Sequence, residues 1–287
     1  MEEKVSTSVL EGTKQILVKD KPKRTLVIGD IHGGYKALVQ VMQRSKFNIH
    51  EDLLICLGDY VDGWSETAEV IQYLIELESQ CVYKPIFLRG NHDSWAEEWF
   101  TYGTRKDIWV MQGGQATIDS YIKTGLVTNA LHKSFFQRLH NYYVDEENRG
   151  FVHGGFISKN GLGHEVYQSD YYWDRDLWGL ALLQHGKKLD NMSVEAGTKL
   201  RRFEKHKEVY IGHTSTANWN VKPHLPEYQY AEQPKQGPIL VPMNRCNVWN
   251  MDTGGGFGGR LTMMDIDTKE FWQSDNLKDL YPDERGR

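Results

Sequence analysis

The chain has 287 residues, 39% of them hydrophobic and 25% charged, with 27 glycines and 8 prolines; this is globular composition and excludes an intrinsically disordered segment, a collagen and a coiled coil. A net charge of −5 and a pI near 6.1 give no general attraction to polyanions, so nucleic acid is not supported as a partner. No apolar run approaches the roughly 18 residues that cross a bilayer, and Met1-Glu2-Glu3-Lys4 lacks the layout of a secretion signal, so the expected location is cytoplasmic, with no membrane partner.

A single α/β domain over 1–287 is expected, with its core from about 24 to 274. Thr25 to Ile28 reads as a buried strand, Gly29 to Gly34 as a loop and Tyr35 to Arg44 as a helix. Leu53 to Leu57 repeats the pattern, closing on Gly58-Asp59 before a helix from about Glu66 to Leu77. Val82 to Leu88 reads as a third strand, followed by Arg89-Gly90-Asn91-His92-Asp93 as a loop and a Trp-rich helix from Ser94. Lys106 to Leu139 is helical in pattern; Tyr142 to Val144 and Gly150 to Val152 form a hairpin ending at His153-Gly154-Gly155. Residues 165 to 207 read as mostly helical, and Glu208 to Ile211 as a strand ending at Gly212-His213-Thr214. The stretch 218–247, rich in Pro, Tyr and Gln, is expected to be a surface excursion. Val248 to Met251, a glycine run from Gly254 to Gly259 read as a tight strand connection, and a hairpin of Leu261 to Ile266 with Glu270 to Gln273 complete the pattern; the charged tail after Asp275 is expected to fray. Cys56, Cys81 and Cys246 are odd in number and form no CxxC, which points to buried thiols rather than disulfides or a thiolate zinc site.

The strand ends deliver Asp30, His32, Asp59, Asn91, His153 and His213, all oxygen or nitrogen donors without sulfur. In open α/β sheets the carboxyl ends of strands are where ligands bind. This donor set suits Mn, Fe or Zn, and it is too large for one tetrahedral ion. Two ions sharing a bridging carboxylate fit it, at a separation of roughly 3.5 to 4 Å that lets both act on one phosphoryl group. Asp30 and His32 face the same way if the chain between them stays extended.

Gly29-Asp30-Ile31-His32-Gly33, Gly58-Asp59-Tyr60-Val61-Asp62-Gly63, Arg89-Gly90-Asn91-His92-Asp93, His153-Gly154-Gly155 and Gly212-His213-Thr214 together resemble, in order and spacing, the calcineurin-like metallophosphoesterases. Within them the chain is most similar to the phosphoprotein phosphatase superfamily, in its bacterial and phage serine/threonine phosphatase and diadenosine tetraphosphatase-like branches. The resemblance runs from about Thr25 to Gln273. It implies a four-layer α-β-β-α sandwich of two mixed sheets, which the strand-helix rhythm permits. It implies further that Asp30, His32 and bridging Asp59 hold one metal, and Asp59, Asn91, His153 and His213 the other, with Mn²⁺ first and Fe or Zn as alternatives. The implied reaction is hydrolysis of a phosphomonoester by a metal-bound hydroxide attacking phosphorus, with His92 as general acid. Asp62 would orient His92 and raise its pKa. The implied partner is a phosphorylated protein, small phosphoester or nucleotide; a diadenosine polyphosphate pyrophosphohydrolase and a non-catalytic metal-binding scaffold are the alternative readings.

One departure bears on substrate. The family motif usually continues from Asp62 with an arginine that clamps phosphate; here Gly63 follows. Arg175, in Trp173-Asp174-Arg175-Asp176, resembles the family's second phosphate arginine and is assigned to substrate binding with Asn91. Arg260 is a weaker candidate, and Arg89 is assigned a structural part. Trp173 and Trp219 are candidates to line the site; His50, His132, His140, His164, His185, His206 and His224 lie in no motif and are read as surface or core residues.

Overall fold

The computed structural model describes residues 21–184, 201–218 and 240–287. Two five-stranded sheets form its centre. The first contains β1 (Arg24–Ile28), β2 (Asp52–Cys56), β3 (Ile86–Phe87), β9 (Thr262–Asp265) and β10 (Phe271–Gln273), in the order β10-β9-β1-β2-β3. The second contains β4 (Tyr142–Val144), β5 (Arg149–Val152), β6 (Glu208–Ile211), β7 (Met243–Arg245) and β8 (Val248–Asn250), in the order β4-β5-β6-β8-β7. Both are mixed: β1, β2 and β3 run parallel while β9 and β10 pair antiparallel, and β5, β6 and β8 run parallel between antiparallel β4 and β7.

Period-two alternation sorts the strand side chains into layers. Val27 and Ile55 of the first sheet meet Phe151 and Tyr210 of the second in the core between the sheets, where the rings of Phe151 and Tyr210 stack at 5.0 Å. Their strand neighbours Leu26, Ile28, Leu54 and Cys56 point outward, onto the buried faces of α1 (Tyr35–Arg44) and α2 (Thr67–Gln80). On the far side Val152, Val209 and Ile211 pack against Leu177, Trp178 and Ala181 of the helix Asp176–Gln184. Helix, sheet, sheet and helix are therefore the four layers of the sandwich.

Several elements differ from the sequence reading. The strand expected over 82–88 is reduced to Ile86–Phe87, because Pro85 has no amide hydrogen to join the ladder and Leu88 turns to bridge with His140. The helix expected from Ser94 begins at Asn91 and is α3 (Asn91–Tyr102), since the Asp93 carboxylate accepts the Gly90 N–H at 2.8 Å and closes its first turn. The segment 106–139 is broken into Asp107–Trp109, Gln115–Thr124 and Ala130–Gln137 around a kink at Gln112 and Gly113. Of the excursion expected over 218–247, residues 219–239 lie outside the described ones, as do 185–200 of the mostly helical stretch; Met243–Arg245 is an edge strand. Cys56 and Cys81 are buried as expected, but Cys246 is exposed, in the left-handed turn between β7 and β8. The glycine run is the tight connection expected, a single 3₁₀ turn at Gly255–Phe257 leading toward β9.

The tail does not fray. Leu277–Leu280 forms a helical turn, Leu277 is fully buried, and the ring of Tyr281 stacks on Trp64 at 5.1 Å. Leu277→Ala is predicted to cost about 2 to 4 kcal/mol of stability, measured by denaturant unfolding; an unchanged midpoint would show that this turn is not docked.

Candidate metal centre

Asp30 and His32 follow β1, Asp59 follows β2, Asn91 opens α3, and His153 and His213 follow β5 and β6. All six are buried. The loops that carry them are tied together through the backbone: Ile31 and His32 both donate their N–H to the Asp59 carbonyl, at 3.0 and 2.8 Å, and Gly212 donates to the His153 carbonyl at 2.8 Å. The chain from Asp30 to His32 does not stay extended, the condition under which the two were expected to face the same way, yet their side chains converge. His32 lies in the left-handed region at φ 51°, joined there by Asp59 at 51°, Asp62 at 71° and His213 at 67°. Such positions cost on the order of 1 kcal/mol each for side chains other than glycine and persist where the surroundings fix them. Two glycines make room for the carboxylates: a methyl at Gly90 would lie 2.0 Å from Asp59 Oδ1, and one at Gly212 would lie 2.1 Å from Asp30 Oδ1.

Asp59 is common to two donor groups. Asp30, His32 and Asp59 each place a ligand atom within 4.8 Å of the others, and Asp59, His153 and His213 do the same. The Asp59 Oδ1 atom accepts the His92 N–H at 3.0 Å, at the positive end of α3, while Oδ2 is buried without a hydrogen bond. Oδ2 lies 3.6 Å from His32 Nε2 and 3.3 Å from His153 Nε2. Both imidazoles are oriented from behind, His32 Nδ1 on the Val61 carbonyl and His153 Nδ1 on the Leu57 carbonyl, each at 3.0 Å, which leaves the Nε2 atoms facing the centre. His213 turns Nδ1 inward, 2.8 Å from Asn91 Oδ1, which is also 3.1 Å from His153 Nε2. Asp30 is held by the His213 N–H at 3.0 Å to Oδ2.

The charges suit cations. Burial and then the neighbouring Asp252 and Asp59 carboxylates push Asp30 well above the usual carboxylate range. Burial alone would also raise Asp59, but His153, His92 and His32 around it hold it well below that range. Burial pushes His32 and His213 down, leaving the neutral imidazoles that ligate metals. Burial would lower His153 too, yet Asp59 and Asp30 raise it to about 9. An Asp59 carboxylate common to both donor groups with one oxygen lacking a hydrogen bond, neutral imidazoles at His32 and His213, and converging carboxylates fit a pair of metal ions.

His92 lies beside this cluster, fully buried, with Nδ1 at 2.6 Å from Asp62 Oδ2 and Nε2 without a partner. Asp62 is itself fixed by Thr117 Oγ1 donating to Oδ1 at 2.7 Å and Trp109 Nε1 donating to Oδ2 at 2.8 Å. The expectation that Asp62 raises the His92 pKa is corrected: burial dominates, lowering His92 to about 3 and lifting Asp62 well above its ordinary value.

Arg175 stands at the rim, its Nη1 donating to the His213 carbonyl at 3.2 Å and Thr214 Oγ1 at 3.0 Å. Trp173 is 39% exposed and meets His213 edge-on with ring centroids 6.2 Å apart; Trp219 lies outside the described residues. Arg260 Nε donates to Asn276 at 3.1 Å, and Arg89 pairs with Glu97, a structural part. The sequence reading missed Asp93, whose carboxylate accepts the Asp59, Tyr60 and Gly90 N–H groups at 2.8, 2.9 and 2.8 Å. It also missed Thr117, Trp109 and Asp252; the Asp-Thr-Gly run at Asp252 was the one signal available.

The family model for calcineurin-like phosphoesterases matches residues 23–219. The chain is 24% identical over 244 residues to serine/threonine-protein phosphatase 1 of Salmonella typhimurium, covering 84% of this chain and 90% of that one. It is 33% identical over 72 residues to the symmetrical bis(5'-nucleosyl)-tetraphosphatase of Coxiella burnetii, covering 25% of this chain and 23% of that one. The solved cold-active protein-tyrosine phosphatase of a psychrophilic Shewanella shares the fold, with a TM-score of 0.52 and 14% identity over 88% of this chain and 81% of that one. Among the described residues no helix is long and apolar enough to cross a membrane.

Asp93→Asn replaces one of two carboxylate oxygens, both of which accept backbone N–H groups, with an amide nitrogen that cannot accept them. Mn²⁺ affinity is predicted to fall roughly 10- to 100-fold, read by titration calorimetry, together with a lowered melting temperature. Unchanged affinity would show that Asp93 does not position Asp59.

Proposed function

The chain belongs to the calcineurin-like phosphoesterase family, and on that premise we propose that it is a dinuclear-metal-dependent phosphomonoester hydrolase of the protein-phosphatase kind. The observation that carries the reading is the buried His92–Asp62 couple beside a donor cluster that shares Asp59. Asp30, His32 and Asp59 would hold one ion, and Asp59, Asn91, His153 and His213 the other. Mn²⁺ is the first candidate, with Fe or Zn next, because the ligands are oxygen and nitrogen without thiolate. When bound, the ions polarise a phosphoryl group and lower the pKa of a water.

The chain's own residues manage the leaving group and the phosphate. With Asp62 protonated, the direction in which burial moves it, its hydroxyl would donate to His92 Nδ1, and the hydrogen of the neutral imidazole would sit on Nε2, facing the site. As the ester oxygen departs, Nε2 gives it that hydrogen and Nδ1 takes the one from Asp62. The carboxylate left behind is stabilised by Thr117 and Trp109. Asn91 and Arg175 would bind the phosphoryl oxygens. A second reading, cleavage of a diadenosine polyphosphate, is favoured by half-exposed Trp173, which can stack a nucleobase.

With Mn²⁺ supplied, phosphate release from a phosphoseryl peptide is predicted to exceed cleavage of diadenosine tetraphosphate; the reverse preference selects the second reading. His92→Ala is predicted to lower kcat roughly 10²- to 10⁴-fold on an alkyl phosphate, with a smaller loss on p-nitrophenyl phosphate, whose leaving group needs no proton. Equal kcat in parent and variant would remove His92 as the acid.

A further inference from the structure

We propose that Arg287 is the site's second phosphate-binding cation, gripping the oxyanion opposite Arg175. The proposal rests on the phosphoesterase reading above and adds to it a residue distant in sequence from every motif. Arg287 is built into place. Tyr281 stacks on Trp64, Glu284 accepts the Ser65 N–H at 3.0 Å and its hydroxyl at 2.6 Å, and Arg287 N donates to the Gly256 carbonyl at 2.8 Å. The side chain is 13% exposed, with its guanidinium 5.0 Å from the centre of the Phe257 ring. Its Nη1 lies 3.2 Å from His32 Nε2 and 3.9 Å from Asp59 Oδ2, at the mouth of the donor cluster.

From the protein side the guanidinium meets only atoms of the donor cluster, His32 Nε2 by a hydrogen bond and Asp59 Oδ2 at longer range. Among the described residues the 3.9 Å approach to Asp59 is its only ion pair, and Asp59 belongs to the ligand set. Arg175, anchored by its contacts to His213 and Thr214, is a second cation at the same site. Arg175 is exposed and Arg287 mostly buried; two guanidinium groups sharing a site repel each other unless an anion lies between them, and the planar fork of arginine matches phosphate oxygens. The backbone also explains why the cation comes from here. Gly63 lies at φ +101°, where a side chain is strained, and a methyl on it would lie 3.3 Å from Arg287 N. The place after Asp62 is tight and strained for a side chain and is lined by the Arg287 backbone.

The test measures inorganic phosphate binding to the Mn²⁺-loaded protein by calorimetry and as inhibition of hydrolysis, with Mn²⁺ affinity and melting temperature measured alongside. For Arg287→Gln, phosphate affinity is expected to fall roughly 10- to 100-fold, KM to rise, and Mn²⁺ affinity to stay unchanged; Arg287→Lys regains part of the loss. Gly286→Ala is expected to act in the same direction with the arginine intact, because its methyl would lie 2.7 Å from the Gly256 carbonyl oxygen and dislodge the segment. Phosphate affinity unchanged in Arg287→Gln, or absent in the parent, overturns the proposal. So does Mn²⁺ affinity that rises while phosphate affinity holds, which would make the guanidinium a plug in an ion site. A parent that binds phosphate through Arg287 but hydrolyses no ester sinks the phosphoesterase reading and leaves the clamp standing.

Discussion

One carboxylate organises the centre of this molecule. Asp59 Oδ1 is tied to the first turn of α3 through the His92 N–H, and its backbone N–H is tied to Asp93, so Oδ2 is fixed between His32 and His153 without a hydrogen bond of its own. A buried ionised oxygen left in that state is costly unless cations complete it. The same helix start carries Asn91 and His92, so these two residues and the Asp59 carboxylate are set by one backbone segment.

The sandwich makes this arrangement possible by bringing distant strands to one edge. The parallel strands β1, β2 and β3 deliver Asp30, His32, Asp59 and Asn91 from one sheet, and β5 and β6 deliver His153 and His213 from the other. The core of Val27, Ile55, Phe151 and Tyr210 fixes the spacing between the sheets, and hence between the two halves of the donor set. Left-handed backbone at His32, Asp59, Asp62 and His213 is the conformational cost of aiming those side chains inward. It is held by cross-loop hydrogen bonds such as those onto the Asp59 carbonyl.

Much of this was legible in the sequence, for physical reasons. Apolar runs closing on Gly-Asp or His-Gly mark strands whose ends carry polar groups, and Leu26, Val27 and Ile28 show the two-sided burial that such runs imply. The start of α3 was not legible, because Gly90-Asn91-His92 reads as a loop until Asp93 is seen to cap it through space. Thr117 and Trp109 come from a stretch without motif and reach Asp62 only through tertiary packing. The tail misled for a related reason: its charges suggest fraying, yet Tyr281 and Glu284 find partners at Trp64 and Ser65, more than two hundred residues earlier. The pKa of His92 could not be judged from its carboxylate neighbour alone, because complete burial outweighs the pair.

The most direct test of the shared-carboxylate account is anomalous diffraction from crystals grown with Mn²⁺. It predicts two manganese peaks, roughly 3.5 to 4 Å apart, on either side of Asp59 Oδ2. A single peak, or two peaks that Asp59 does not touch, would contradict it.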